Sequence, residues 1–175
     1  MFAKTVRIAI TGSLLAAAAA MAGENRVALP DYKGGFIHYV KDRERANPAQ
    51  IAEIWANETA LASARDGAPL DYGSVLVMEV WKAKMKSEDE PQRDAQGRPV
   101  KDALLFVAVM EKEPGWGASY PEDKRSGEWE FAAYGPDGGL KEIDYAEKCS
   151  YCHAPLHDRD YVQSWEALFA AARAR

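Results

Sequence analysis

The stretch Ser74-Val75-Leu76-Val77-Met78-Glu79-Val80-Trp81-Lys82 is the clearest strand in the sequence. Its apolar residues occupy both alternating sets of positions, which is typical of a strand inside a sheet rather than at its edge. Residues 103–110 are apolar on both faces in the same way, and residues 35–40 and 128–134 also have strand-like composition. The sequence therefore predicts a sheet of four strands with residues 74–82 in a central position.

Helical patterns flank these strands. Asn47-Pro48-Ala49-Gln50 combines an N-cap residue, a proline at the first helical position and a glutamine three residues after the cap, which predicts a helix from there to about Ala64. A short helix is expected over residues 145–152, ended by Pro155, and an amphipathic helix over residues 161–174.

The connections between the strands indicate the fold class. Residues 86–102 are charged and contain the turn Asp94-Ala95-Gln96-Gly97, so we expect a long hairpin loop there. Consecutive strands joined in this way and followed by helices predict an α+β fold, an antiparallel sheet with flanking helices.

The motif Cys149-Ser150-Tyr151-Cys152-His153 holds the only two cysteines of the chain. This spacing is typical of covalent c-type haem attachment, in which each thiol adds to one vinyl group and the adjacent imidazole becomes the axial iron ligand. The expected C-terminal helical region therefore carries Cys149 and Cys152 as haem-attachment residues and His153 as the metal ligand.

Three other interpretations of the motif are weaker. A thioredoxin-like dithiol should lie between an early strand and a helix, whereas this pair is near the C-terminus. A zinc site would need two further ligands, and only His38 and His157 are available as histidines. A structural disulfide would leave the position of His153 unexplained.

The N-terminus predicts export. Lys4 and Arg7 precede an apolar run that ends in Ala20-Met21-Ala22, a pattern typical of a secretory signal peptide over residues 1–22. An uncleaved tether is the alternative, but no later segment approaches the length needed to span a membrane. We therefore expect a periplasmic protein with a single haem domain at residues 23–175.

The charge balance limits the possible partners. The net charge of −5 becomes more negative by two once Lys4 and Arg7 are removed, and the remaining basic residues are scattered. Nucleic acid is therefore excluded as a partner. If the protein transfers electrons, its redox partner is expected to present a basic face.

With strands and motif placed, the sequence resembles the cytochrome P-460 and cytochrome c′-β superfamily. The similar segments are Asn47-Pro48, Tyr72-Gly73-Ser74-Val75, Gly127-Glu128-Trp129-Glu130-Phe131, the haem motif, and Asp160-Tyr161-Val162. The resemblance implies a periplasmic c-type haem protein built on an antiparallel sheet. It also implies a possible homodimer, which the apolar sheet faces would permit.

Two departures from the family pattern concern the haem pocket. Met78 occupies the position where hydroxylamine-oxidising members have a lysine bonded to the porphyrin, and Lys82, about 13 Å further along the strand, is too distant to replace it. The resemblance therefore implies an uncrosslinked haem, closer to the c′-β members that bind nitric oxide and carbon monoxide at five-coordinate iron. Leu70 stands where those members can have a phenylalanine over the iron, which implies a more open distal wall.

Several residues have both a functional and a structural interpretation. Met78 either contacts the haem edge, ligates the iron, or fills the core. Phe106 and Phe131, like Trp55 and Trp129, fit a pocket wall or an aromatic core equally well. Glu79 lies within an apolar strand, so its carboxylate must be hydrogen-bonded or have a shifted pKa. It could act as a proton relay or as a structural anchor. His38 is a candidate distal ligand.

Three functions remain open. The first is a haem protein that binds small gaseous ligands at five-coordinate iron. The second is a six-coordinate electron carrier with Met78, His38 or a loop lysine as the sixth ligand. The third is an enzyme of the hydroxylamine-oxidising type, which the residue at position 78 disfavours.

Overall fold

A five-stranded antiparallel sheet in the order β1-β2-β3-β4-β5 forms the centre of the protein. The computed structural model describes residues 26–67 and 69–175, so the expected signal peptide at residues 1–22 lies outside the described residues. The strands are β1 (Ile37–Glu44), β2 (Gln50–Ala56), β3 (Val75–Ala83), β4 (Lys101–Lys112) and β5 (Trp129–Tyr134). The α+β prediction is confirmed, and β3 is the central strand as its apolar pattern indicated.

Four helices flank the sheet in the described part of the chain. They are α1 (Tyr32–Gly35), α2 (Glu58–Asp66), α3 (Tyr151–His153), which directly follows a π-helical turn at Ala146–Ser150, and α4 (Trp165–Arg173). Short 3₁₀ turns occur at Trp116–Ser119, Glu122–Lys124 and His157–Arg159. Within the described residues, no helix has the length and apolar character needed to cross a membrane.

The predicted helix from Asn47 to Ala64 is wrong in its first half. Residues 50–56 form β2, which pairs with both β1 and β3, and the helix starts only at Glu58. Asn57 is the real N-cap, since its Oδ1 accepts a hydrogen bond from the backbone N of Ala60 at 3.0 Å. Asn47 instead forms the β1–β2 turn, where its side chain accepts from the N of Ala49 at 3.0 Å. The same short polar side chain can stabilise a turn or a helix start, and strand pairing selected the turn.

Two other boundaries differ from the predictions. β4 is buried only in its second half, because β5 pairs with it from Val107 onwards and leaves its first half partly exposed. The last helix begins at Trp165 rather than at residue 161, since Asp160 and Tyr161 have φ angles of +46° and +64° that no right-handed helix accommodates. The expected hairpin connection is confirmed, but its last two residues, Lys101 and Asp102, already belong to β4.

The sheet has two buried faces with different coverings. Leu76, Met110 and Phe131 lie side by side on one face and pack against Leu61 of α2 and Leu168 of α4. We call this the helical face. The opposite face, which we call the far face, packs against the N-terminal segment in a separate apolar cluster. Its buried members include Val27, Tyr32, Trp55, Val77, Val109 and Tyr134.

Candidate functional site

A cavity of about 410 Å³ lies between the helical face and the Cys149–His153 segment. This volume is within the range typical of cofactor sites. The sheet supplies mainly apolar side chains, while the haem motif supplies both thiols and the imidazole. Of the predicted site residues, the cavity is lined by Met78, Phe106, Phe131, Cys149, Cys152 and His153.

The local helical conformation explains why the motif residues converge. Residues 146–150 form a π-helical turn, and Tyr151–His153 continue it as α-helix. Side chains three or four positions apart lie on the same face of a helix. Cys152 and His153 follow Cys149 at these two spacings, so the segment presents all three to the cavity. The region expected to be a short helix over 145–152 is therefore helical, but it begins with a π-helical turn. Such turns are frequent at functional sites.

His153 has one ring nitrogen engaged and one available. Its Nδ1 lies 2.6 Å from the carbonyl oxygen of Tyr161, and because a carbonyl only accepts, Nδ1 must carry the proton. Nε2 has no hydrogen-bond partner among the described residues. Burial lowers the pKa of His153 below its ordinary value and outweighs the opposite effect of the Tyr161 hydrogen bond. A neutral imidazole with a free Nε2 lone pair is the form that ligates a metal.

The two cysteines are free thiols in this structure, with Cys149 partly buried and Cys152 exposed. Burial, with a smaller contribution from Cys152, raises the pKa of Cys149 to about 11. The Cys149 thiol is therefore protonated at neutral pH and is a weak nucleophile within the folded chain. Two thiols, a neutral imidazole and an apolar cavity together fit a c-type haem, whose iron supplies the ligand-binding or redox chemistry when bound.

Met78 lines the cavity in the centre of the sheet, next to Ile54 and Ala108 on the flanking strands. Its Sδ accepts a hydrogen bond from Nη1 of Arg45 at 3.5 Å. Lys82 is absent from the described cavity lining, and its side chain is 56% exposed beside Asp102. The placement of Met78 supports its interpretation as a haem contact. No lysine of β3 lines the described cavity, so this strand offers no amine for a crosslink.

The expectation that Leu70 forms the distal wall is wrong. Leu70 is 2% exposed and packs in the core of the helical face, outside the described cavity lining. Its backbone N donates to Oδ2 of Asp160 at 2.9 Å, and its carbonyl accepts from Nζ of Lys112 at 2.7 Å. These two bonds tie the loop before β3 to the turn before α4 and to the end of β4, and thereby keep Leu70 in the core.

Glu79 is on the far face, because side chains alternate along β3 and Met78 points into the cavity. It accepts hydrogen bonds from Tyr32 Oη at 2.5 Å and Trp81 Nε1 at 2.8 Å, and its Oε1 lies 2.8 Å from Lys33 Nζ. Burial alone would raise the pKa of Glu79, but the bonds from Lys33, Tyr32 and Trp81 together hold it below its ordinary value. Glu79 is therefore a structural anchor, and the alternative of a proton relay at the cavity is wrong.

His38 is also on the far side of the sheet from the cavity. Its ring stacks on Trp55 with centroids 4.1 Å apart, and its Nε2 lies 2.5 Å from Oε2 of the buried Glu53. Neither His38 nor Trp55 lines the cavity. The distal-ligand interpretation of His38 is therefore wrong, and Trp55 belongs to the far-face core.

The cavity mouth is basic although the chain as a whole is acidic. Arg43, Arg45 and Lys148 lie there and form no ion pair with any described carboxylate, while Glu44 pairs with Arg93 at 2.8 Å. Burial, together with repulsion from Arg43, lowers the pKa of Arg45 despite an opposite effect of Cys152. These three cations could pair with the carboxylates of a bound haem, a role that the scattered sequence positions did not reveal.

Comparison with known proteins agrees with the geometry. The sequence model of a family described as Cytochrome P460 matches residues 29–164, which is more than half of the chain. The matched range contains the whole sheet, the haem motif and the turn at Asp160 and Tyr161. A search of the curated proteins found no match.

Proposed function

The chain belongs to the cytochrome P460 family, and on that premise we propose that it is an exported mono-haem c-type cytochrome. Cys149 and Cys152 would attach the haem, and His153 would ligate its iron. The observation that carries the proposal is the free Nε2 of a neutral His153 in the same cavity as both thiols. We further propose a periplasmic location, because the N-terminal 22 residues have the pattern of a signal peptide.

A haem held by these residues would bind small gaseous ligands such as nitric oxide or carbon monoxide. Two features of the cavity support this proposal. Its sheet side is lined mainly by apolar side chains, which exclude competing water. Met78 places a thioether in the cavity, but its sulfur already accepts a hydrogen bond from Arg45. Because β3 presents the Met78 thioether and no lysine amine to the described cavity lining, the site favours binding over oxidation of hydroxylamine.

Electron transfer is the second candidate, and the position of Met78 in the cavity is the observation that favours it. A thioether ligand would saturate the iron and raise its reduction potential. The overall negative charge favours a redox partner with a basic face, whereas Arg43, Arg45 and Lys148 at the mouth favour acidic groups there. We also propose that the protein forms a homodimer, whichever of the two functions it has.

Absorption spectra of the purified ferrous protein, with and without carbon monoxide, test these functions. A high-spin spectrum that shifts when the gas is added supports ligand binding. A low-spin spectrum that the gas leaves unchanged refutes it and supports the electron carrier. A strongly red-shifted Soret band that survives denaturation indicates a modified macrocycle and supports the enzyme.

A further inference from the structure

The carbonyl that accepts the His153 hydrogen bond belongs to a turn with an unusual backbone. Asp160 and Tyr161 have φ angles of +46° and +64°, and neither is a glycine. Left-handed conformations are uncommon for such residues and persist only where the surrounding structure enforces them. Two in succession beside a candidate iron ligand require an explanation.

A buried ion pair holds the first of these residues. Oδ2 of Asp160 lies 2.8 Å from Nζ of Lys112 and accepts from the backbone N of Leu70 at 2.9 Å. The same ammonium donates to the Leu70 carbonyl at 2.7 Å and lies 5.8 Å from the ring centroid of Trp129. The Lys112 and Asp160 side chains are only 8% and 6% exposed.

Stability alone does not account for this pair. Removing two charges from water costs free energy that their attraction often fails to recover, so apolar residues at both positions would serve a core as well or better. What the pair does specify is a position, because it fixes Asp160 to both the end of β4 and the loop at Leu70.

The second residue is fixed by its own contacts. The backbone N of Tyr161 donates to the carbonyl of Leu156 at 2.7 Å. Its ring packs so closely on Gly127 that a Cβ there would lie 2.5 Å from Cε2 of the tyrosine. With Asp160 anchored on one side and the ring on the other, the Tyr161 carbonyl has one position, 2.6 Å from Nδ1 of His153.

We propose that the Lys112–Asp160 ion pair positions the Tyr161 carbonyl as the acceptor for His153 and thereby sets the donor strength of the axial imidazole. A fixed acceptor at Nδ1 increases the basicity of the ligating nitrogen. A more basic imidazole binds iron more strongly and favours the ferric state. Lys112 and Asp160 are thus positioning residues that act through Tyr161, and both lie outside the described cavity lining. The inference rests on the proposed function, since it takes His153 as the iron ligand.

The test compares haem-loaded full-length protein with Asp160→Asn and with the double variant Lys112→Met/Asp160→Asn. Asparagine tolerates the left-handed conformation, and the double variant leaves no unpaired charge buried, so at least one is expected to fold. Asp102→Asn is the matched control, because Asp102 also pairs with a lysine, Lys82, but is exposed and outside the cavity lining.

Three measurements are made on each protein: the iron–histidine stretching frequency of the ferrous form by resonance Raman, the reduction potential, and the unfolding midpoint. We expect a lower stretching frequency and a higher potential in both site variants, with wild-type values in the control. Unchanged frequency and potential, with only a lower unfolding midpoint, would show a purely structural pair and overturn the inference. A low-spin wild-type ferrous spectrum would refute the proposed gas binding, while the potentials would still decide the role of the pair.

Discussion

Glu79→Ala is expected to lower the free energy of unfolding by about 3–5 kcal/mol, because two donors lose a charged, buried acceptor. The mutation removes the acceptor of two donors, Tyr32 Oη at 2.5 Å and Trp81 Nε1 at 2.8 Å, and hydrogen bonds to a charged group contribute about 1.5–3 kcal/mol each. Lys33 adds little to the loss, because its side chain is 63% exposed and regains water.

Urea unfolding of the full-length protein measures this effect. With an m-value of about 2 kcal/mol/M, the midpoint should fall by roughly 2 M. Glu79→Gln keeps an oxygen acceptor and should lose only about 1–2 kcal/mol. Glu88→Ala is the matched control, because Glu88 is exposed in the β3–β4 hairpin and should leave stability unchanged.

The pH dependence follows from the sign of the shift. Because the pKa of Glu79 is held below its ordinary value in the folded protein, its contribution to stability is present above the unfolded-state pKa and is lost as the pH falls through the folded-state pKa. The glutamine variant should therefore show a weaker decline in stability under acid than the wild type. The assignment of Glu79 as an anchor on the far face would be refuted if Glu79→Ala kept wild-type stability. It would also be refuted if the variant bound carbon monoxide at an altered rate without losing stability.

Three further predictions concern the cavity and its supports. Gly127→Ala should lower the free energy of unfolding, measured in urea, by about 1–3 kcal/mol or more, since its φ is +58° and the new Cβ would lie 2.5 Å from the Tyr161 ring. Gly97→Ala is the control, because Gly97 has a similar φ of +79° but open space around it, and it should lose less stability. Equal losses in the two variants would contradict the close contact. Met78→Leu should leave the ferrous spectrum high-spin and responsive to carbon monoxide, and a change from low-spin to high-spin on mutation would instead reveal a thioether ligand. Cys149→Ser should sharply reduce the yield of haem-loaded protein on purification, and a near-normal yield would exclude attachment through two thioethers.

The sheet and the haem motif could be predicted because their signals are local. An apolar pattern on both faces identified β3 as central, and the spacing of Cys149, Cys152 and His153 is complete within five residues. β2 was missed because Asn47-Pro48-Ala49-Gln50 matches a helix start as a sequence, and only the pairing of residues 50–56 with two neighbouring strands shows that it is a turn. Local chemistry was ambiguous there, and tertiary pairing decided the outcome.

The parts of the site that depend on distant pairs could not be predicted from the sequence. Lys112 and Asp160 are 48 positions apart, and nothing local indicates that the lysine at the end of β4 is buried against that carboxylate. Leu70 was misplaced for the same reason, since its backbone bonds to both of these residues keep it in the core. The basic mouth likewise combines Arg43 at the end of β1 and Arg45 just after it with Lys148 from the segment that precedes Cys149.

Two adjacent residues of β3 have different roles, because one lines the cavity and the other stabilises the sheet. Met78 points to the cavity, and Glu79, the next residue, points to the far face, where Tyr32, Lys33 and Trp81 satisfy it. Because the side chains of a strand alternate, a shift of one residue in the pairing of β3 would place the carboxylate in the cavity and the thioether in the far-face core. The Glu79 network makes that shift costly and so holds position 78 in the cavity. Substitution at 78 can therefore change what lines the cavity without disturbing the contacts that maintain the sheet.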